Sequence, residues 1–229
     1  MGNFFLRVNY LFLILQIFFF HNISVANESL LVIGNSITMH GPAPEIGWFG
    51  NWGMAASAKE KDYVHLLTEK LQKIDHTKIN VDVLGSGQVD GIFNNTNEMN
   101  LRNVSNNYQY IVLQIGEGID FSNSTKEIFE ARYNNVVSSL SVKLKRKGTL
   151  VCLGKWWPNA PVEEVMQNVC LKNGGKFVSL KPVLSNKESL ASSERKVTNS
   201  GVAAHPGDWG MKKIAESIFC AIKTKNCSF

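Results

Sequence analysis

Leu30-Leu31-Val32-Ile33-Gly34-Asn35-Ser36-Ile37-Thr38 is the stretch that decides the fold of this chain. Its first four residues are apolar and rich in β-branched types, which predicts a short buried strand. A glycine ends the strand, and small polar side chains follow at its carboxyl end. Ligands and reacting groups collect at that end of the strands in open α/β sheets. Ser36 is therefore a candidate nucleophile, provided that a base reaches it from elsewhere in the chain.

Further strand patterns alternate with helical patterns along the rest of the chain. This alternation predicts the α/β class, with a five-stranded parallel sheet, right-handed crossovers and helices on both faces, which makes three layers. A loop rich in Pro, Gly and Trp over residues 40–54 either packs on the body of the domain or lines a substrate groove. The predicted strands are 30–33, 79–84, 110–115, 149–153 and 176–180, and the predicted helices are 62–73, 126–147, 161–171 and 209–223.

The first 26 of the 229 residues have the pattern of a secretory signal peptide. Arg7 provides a basic start, residues 10–20 form an apolar run, and Ser24-Val25-Ala26 places small residues at a cleavage site. The apolar run is shorter than the ~20 residues of a membrane span, although an uncleaved anchor is the alternative. We expect residues 27–229 to form one secreted or periplasmic domain that is not inserted in a membrane after cleavage.

The net charge of +5 does not indicate a nucleic-acid partner. The basic residues are scattered, and no basic stretch is interleaved with aromatic residues. The one tight run, residues 143–147, is expected at the end of the predicted 126–147 helix, where cations suit the helix dipole.

The four cysteines, an even number in an exported chain, allow two disulfides with three possible connectivities. Proximity in sequence favours Cys152–Cys170 and Cys220–Cys227. No Cys-x-x-Cys pair occurs, so the sequence predicts no structural zinc. We expect no other metal and no cofactor.

The best candidate base for Ser36 is His205, in the segment His205-Pro206-Gly207-Asp208-Trp209-Gly210-Met211. A serine hydroxyl is a weak nucleophile until a base accepts its proton. From the residues alone, Ser36 could instead cap the following turn, and His205 could be a structural histidine. Asp208 is expected to cap the last helix.

Four sequence blocks together resemble the SGNH (GDSL-type) hydrolase family. They are Gly34-Asn35-Ser36-Ile37-Thr38, Gly87 after the second strand, Gly116 after the third, and His205-Pro206 before the last helix. Two segments, from Gly41-Pro42 through Ser57 and from His205 to Met211, look like an exported bacterial branch of that family. The resemblance implies a flavodoxin-like α/β/α sandwich and an esterase, a lipase or an acetyl esterase acting on carbohydrates.

By this resemblance Ser36 attacks an ester carbonyl and His205 acts as its general base, while the backbone N–H groups of Ser36 and Gly87 face the oxyanion. Two family residues are missing. The oxyanion asparagine of the Gly-x-Asn block is Gly118 here, and the aspartate three residues before the histidine is Val202. His205 is then held by a backbone carbonyl or by another acid, for which Asp90 and Asp120 are the candidates.

The sequence thus predicts a serine esterase that removes an acetyl or other short acyl group from a glycan or a small-molecule ester through a Ser–His dyad. The alternatives are a catalytically weak carbohydrate-binding protein on the same scaffold and a saccharide acyltransferase. The expected substrate-lining residues are Asn35, Glu117, Gly118, Trp156 and Trp157.

Overall fold

The computed structural model describes residues 28–89, 101, 104–122 and 125–224. The expected signal peptide and Asp90 lie outside these residues. The strands are β1 (Glu28–Gly34), β2 (Ile79–Leu84), β3 (Tyr108–Gln114), β4 (Leu144–Leu153) and β5 (Lys176–Val178). The helices are α1 (Tyr63–Asp75), α2 (Lys126–Ser141), α3 (Ala160–Lys172), α4 (Lys181–Leu184), α5 (Ala191–Glu194), α6 (Ser200–Ala203) and α7 (Asp208–Lys223). Short 3-10 turns cover Pro44–Ile46, Lys59–Lys61, Ser86–Gln88 and Lys187–Ser189.

The five strands form one parallel sheet in the order β2-β1-β3-β4-β5. This is the flavodoxin-like order, in which the direction of winding reverses between β1 and β3. Ligands of such sheets bind beyond the carboxyl ends of the strands at this reversal. Ser36 follows β1 and Glu117 follows β3, so both lie at the predicted position for a site.

The sheet lies between two layers of helices, as predicted. Alternate residues of β1 point to opposite faces: Leu30 and Val32 belong to one apolar cluster, and Leu31 and Ile33 to the other. Helices α1 and α7 contact each other on the first face, and α2 and α3 contact each other on the second. The three-layer α/β/α sandwich with a five-stranded parallel sheet is therefore confirmed.

The basic run at 143–147 does not end a helix. Helix α2 stops at Ser141, and β4 begins at Leu144, which is in register with Tyr108 of β3. A β-carbon at Gly148 would lie 2.8 Å from the backbone oxygen of Tyr108, so the close approach of these strands requires glycine. The helix predicted over 126–147 was wrong over its last six residues, because strand pairing overrides the helix propensity of Lys, Leu and Arg.

Asp208 is not the N-cap of α7, contrary to the sequence prediction. Gly207 occupies that position, and Asp208 is the first residue of the helix. The carboxylate of Asp208 instead accepts hydrogen bonds from the backbone and hydroxyl of Ser57, both at 2.7 Å, and pairs with Lys61 at 2.9 Å. Asp208 thus fastens the loop before α1 to the start of α7.

A disulfide joins Cys152, at the end of β4, to Cys170 in α3, as proximity in sequence predicted. The proposed partner of Cys220, Cys227, lies outside the described residues. Among the residues that the structure describes, no helix is both long and apolar enough to cross a membrane.

Candidate active site

A tight turn after β1 presents Ser36. A β-carbon at Gly34 would come within 2.8 Å of the backbone oxygen of Gln114, so this position requires glycine. The backbone N–H of Asn35 donates to that same oxygen at 3.1 Å, and the carbonyl of Ser36 accepts from the N–H of Met54 at 2.8 Å. The nucleophile candidate is therefore fixed from both sides by the backbone of neighbouring segments.

The structure brings Ser36 and His205 together. The Ser36 Oγ lies 2.8 Å from His205 Nε2, although the two residues are 169 positions apart in sequence. His205 Nδ1 lies 2.7 Å from the carbonyl oxygen of Gly201, in α6. A carbonyl oxygen can only accept, so Nδ1 carries the proton of the neutral ring and Nε2 presents its lone pair to the Ser36 hydroxyl. This is the tautomer that a general base requires.

Burial favours the neutral form of His205. The residue is 7% exposed, and this desolvation lowers its pKa, with a smaller opposing effect of the Gly201 carbonyl, which stabilises the charged ring. His40 also lowers the pKa of His205 electrostatically. The edge of Trp157 packs on the imidazole with ring centroids 5.0 Å apart and planes at 79°. Burial thus favours the neutral imidazole, which is held in place on three sides, by Ser36, Gly201 and Trp157.

No carboxylate holds His205 among the described residues near it. Val202, at the position of the family aspartate, is 6% exposed and belongs to an apolar cluster with Trp48 and Met54. Asp120, one of the two alternative acids, accepts from the backbone N–H of Ser122 at 2.8 Å. The sequence left open whether a backbone carbonyl or another acid holds His205, and in the structure the backbone carbonyl of Gly201 does so.

The two backbone donors expected for an oxyanion follow adjacent strands. Ser36 follows β1, and Gly87 lies in the 3-10 turn that follows β2, with a φ of +56° that favours glycine. Gly118 is exposed after β3, and a β-carbon there would meet no atom within 4 Å. Asn35, next to Ser36, is partly exposed at the same edge of the sheet.

Trp156 does not line an open surface as expected, whereas Glu117 is partly exposed. Trp156 is fully buried, and its indole donates to the backbone oxygen of Ala204 at 2.9 Å, so its role is packing. Glu117 turns its carboxylate toward the backbone N–H groups of Trp156 and Trp157, at 2.7 and 3.4 Å. Trp157 is 37% exposed and remains a candidate substrate contact.

The aromatic loop after β1 packs on the body of the domain and also lines a cleft. Trp48 is buried and donates to the backbone oxygen of His40 at 3.0 Å, and its ring meets Trp52 edge-on at 5.5 Å. Phe49, in contrast, is 73% exposed. These three aromatic residues, together with Arg195 from the other side, line an open cleft of about 340 Å³.

No group of three or more His, Cys, Asp or Glu side chains that could hold a metal ion occurs within the part of the chain that the structure describes. The candidate site consists of a serine, a histidine and backbone groups. Such a set is suited to nucleophilic attack on a carbonyl followed by proton transfer.

No family model matches the chain, and no curated protein matches its sequence. Solved structures do match its fold. A two-domain esterase active on acetylated mannans has 15% identity and a TM-score of 0.56 over 87% of this chain, which spans half of the esterase's length. A family two carbohydrate esterase from Clostridium thermocellum, in complex with cellohexaose, has 14% identity and a TM-score of 0.54 over 86% of this chain and 63% of its own.

A third match covers nearly the whole of both proteins. It is assigned as a GDSL-like lipase from Bacteroides ovatus, with 12% identity and a TM-score of 0.52 over 84% of this chain and 96% of its own. At these identities the comparisons establish the fold alone. The chain therefore has the SGNH fold of GDSL-like esterases and lipases, as its sequence blocks predicted.

Proposed function

We propose that this SGNH-fold chain is a serine esterase that removes a short acyl group, acetyl in the simplest case, from a carbohydrate. The observation that carries the proposal is the 2.8 Å contact between Ser36 Oγ and His205 Nε2, with the opposite ring nitrogen held at 2.7 Å by Gly201. A buried imidazole with a fixed tautomer, directed at a serine hydroxyl, is the arrangement that activates a nucleophile.

The reaction then has two halves. His205 Nε2 accepts the Ser36 proton while Oγ attacks the ester carbonyl, and the same proton passes from the imidazolium to the leaving sugar oxygen as the acyl–oxygen bond breaks. In the second half, Nε2 accepts a proton from water, the hydroxide attacks the acyl-serine, and the proton returns to Ser36 Oγ. The acid is released, and the enzyme regains its starting state.

The backbone N–H groups of Ser36 and Gly87 are the proposed donors to the oxyanion that forms in each half. The exposed Gly118 has no side chain to act as a third donor, and one such donor is typically worth about 3–4 kcal/mol in the transition state. A carbonyl also stabilises the imidazolium less than a carboxylate does. We therefore expect turnover slower than that of SGNH enzymes with a complete set of residues.

Two observations support a saccharide substrate. The esterases described above as active on acetylated mannans or bound to cellohexaose share this fold. Phe49 and Trp52 line the cleft beside α6, and flat aromatic surfaces of this kind pack well against sugar rings. Export, for which residues 1–26 are the expected signal, gives the enzyme access to glycans outside the cytoplasm.

A catalytically weak carbohydrate-binding protein is the second candidate, and a saccharide acyltransferase uses the same first half-reaction with a sugar as acceptor. The absence of a donor side chain at Gly118 favours the binding protein. Hydrolysis of p-nitrophenyl acetate and butyrate by the wild type, Ser36→Ala and Ser138→Ala separates these candidates. Ser138 is a matched control because, among the described residues, its hydroxyl hydrogen-bonds only to a backbone oxygen within α2, at 3.1 Å.

We expect hydrolysis in the wild type and in Ser138→Ala, a preference for acetate over butyrate, and no hydrolysis above background in Ser36→Ala. Release of acetate from acetylated mannan and xylan then tests the saccharide. Activity retained in Ser36→Ala would overturn the proposed mechanism. Absence of all ester hydrolysis, together with glycan binding, would favour the binding protein.

A further inference from the structure

Glu117 joins the ends of two neighbouring strands. One carboxylate oxygen accepts from the Gln114 side chain and from the backbone N–H of Trp156, both at 2.7 Å. The other oxygen faces the backbone N–H of Trp157 at 3.4 Å. Gln114 ends β3, and the two tryptophans follow β4. One carboxylate thus holds the segment after β4 against the end of β3.

The segment that Glu117 holds packs directly on His205. The Trp156 indole donates to the backbone oxygen of Ala204, the residue before His205, at 2.9 Å. The Trp157 ring packs edge-on against the imidazole at 5.0 Å. Glu117 therefore reaches His205 through two independent contacts of the same segment, although no hydrogen bond joins their side chains directly.

We propose that Glu117 is a positioning residue, whose ionised carboxylate fixes the Trp156–Trp157 segment and thereby the imidazole of His205. The structural half of this proposal, that the carboxylate of Glu117 fixes the Trp156–Trp157 segment and the ring of His205, is independent of the reaction. Its catalytic half rests on the proposed esterase activity. The SGNH resemblance assigns no role to this position, which is the variable residue of the Gly-x-Asn block.

Ionisation of Glu117 is expected to change within the neutral range. Burial raises its pKa to about 7, although the three donors and the nearby Lys155 favour the charged form. Lys155 is 4% exposed, donates from its ammonium group to the backbone oxygen of Ile119, and has Asp120 and Glu163 as further acidic neighbours. The titratable group that packs on Trp157 is His205, and His40 acts electrostatically on the pKa of His205.

Protonation of Glu117 removes its negative charge and turns one oxygen into a donor. A protonated oxygen that faces an N–H group no longer accepts well from it, and the remaining hydrogen bonds lose their charge assistance. Below its pKa the Trp156–Trp157 segment is therefore held less firmly against His205. This predicts a partial loss of activity near pH 7, separate from protonation of His205 itself.

The structural half is tested by NMR on the Ser36→Ala protein, in which no turnover interferes. We expect the chemical shifts of the backbone amides of Trp156 and Trp157 to change with pH, with a midpoint near pH 7. The chemical shifts of the His205 ring protons should change with the same midpoint. In Ser36→Ala/Glu117→Gln this transition disappears, whereas it persists in the control Ser36→Ala/Glu164→Gln, which changes an exposed glutamate of α3. The proposal would be overturned if these amide chemical shifts did not change near pH 7, or if they still changed there in Ser36→Ala/Glu117→Gln.

The catalytic half is tested by the pH dependence of kcat for p-nitrophenyl acetate. We expect Glu117→Gln to lose the inflection near pH 7 and to keep the loss of activity at lower pH that His205 causes. Glu117→Ala, which removes all three hydrogen bonds, should lower kcat at pH 8 about tenfold with little change in KM. An unchanged pH profile in Glu117→Gln despite the loss of the amide transition would overturn the positioning role.

Inactivity of the wild type toward every ester would refute the proposed function and leave the NMR result to decide the role of Glu117. In that case the His205 ring shift is the deciding measurement. A shift with a midpoint near pH 7 that depends on Glu117 supports positioning, and a ring insensitive to Glu117 overturns it.

Discussion

Replacing Gly118 by Asn is expected to accelerate ester hydrolysis, because it adds the donor side chain that the SGNH pattern places at this position. The structure can accept the change. Gly118 is exposed, its φ is not in the left-handed region, and a β-carbon there meets no atom within 4 Å. One oxyanion donor contributes about 2.7–4 kcal/mol, so the expected gain in kcat is about a hundredfold to a thousandfold.

The assay is the kcat for p-nitrophenyl acetate at pH 8, with two controls. Gly118→Ala adds a β-carbon without a donor, and Gly118→Asp has nearly the shape of asparagine but, when ionised, no N–H to donate. We expect a gain for Gly118→Asn alone. An unchanged kcat in a folded Gly118→Asn protein, or an equal gain in Gly118→Ala, would refute the placement of the oxyanion beside Gly118.

Three further predictions concern charge and stability. In Glu117→Gln, kcat/KM should fall as the pH decreases below 6.5, because burial lowers the pKa of His205 and the ring becomes protonated only at lower pH. A midpoint of this fall above pH 6.5 would contradict the prediction. Glu117 ionises near pH 4.5 when unfolded and near 7 when folded, so the folded state loses stability as the pH rises between these values. Glu117→Gln should therefore raise the free energy of unfolding in urea by up to about 3 kcal/mol at pH 8 but not at pH 4, and equal effects at both pH values would contradict the buried charge. Replacing Cys152 and Cys170 together by Ala should destabilise the protein by about 3 kcal/mol in the same assay, since their disulfide closes a loop with a sequence separation of 18; a loss under 1 kcal/mol would contradict this.

The sheet was predictable because its strands carry strong local signals. The apolar run before Ser36 and the segment Ile79–Leu84 have the composition of buried strands and end at glycines, and β2 has the predicted bounds. The start of β4 was missed because its basic residues are good helix formers, and only pairing with β3 reveals the strand. Gly148, unfavourable within a helix, was the available signal.

The pairing of Ser36 with His205 followed from the sequence blocks, but the group that orients His205 did not. A backbone carbonyl has no signature in the sequence, so Gly201 could not be chosen in advance. The contacts of Glu117 were also missed, because two of its three donors are backbone N–H groups of a segment brought near by the sheet. Trp156 was placed at the substrate because sequence alone does not distinguish a buried from an exposed tryptophan in a loop.

The most direct test of a nucleophilic Ser36 is covalent labelling with a fluorophosphonate, followed by mass spectrometry of the digested protein. The account predicts one adduct in the wild type, on the peptide that contains Ser36. This adduct should be absent in Ser36→Ala, retained in Ser138→Ala and strongly reduced in His205→Ala. No adduct on the folded protein, or an adduct on a different side chain, would contradict the central claim that His205 activates Ser36.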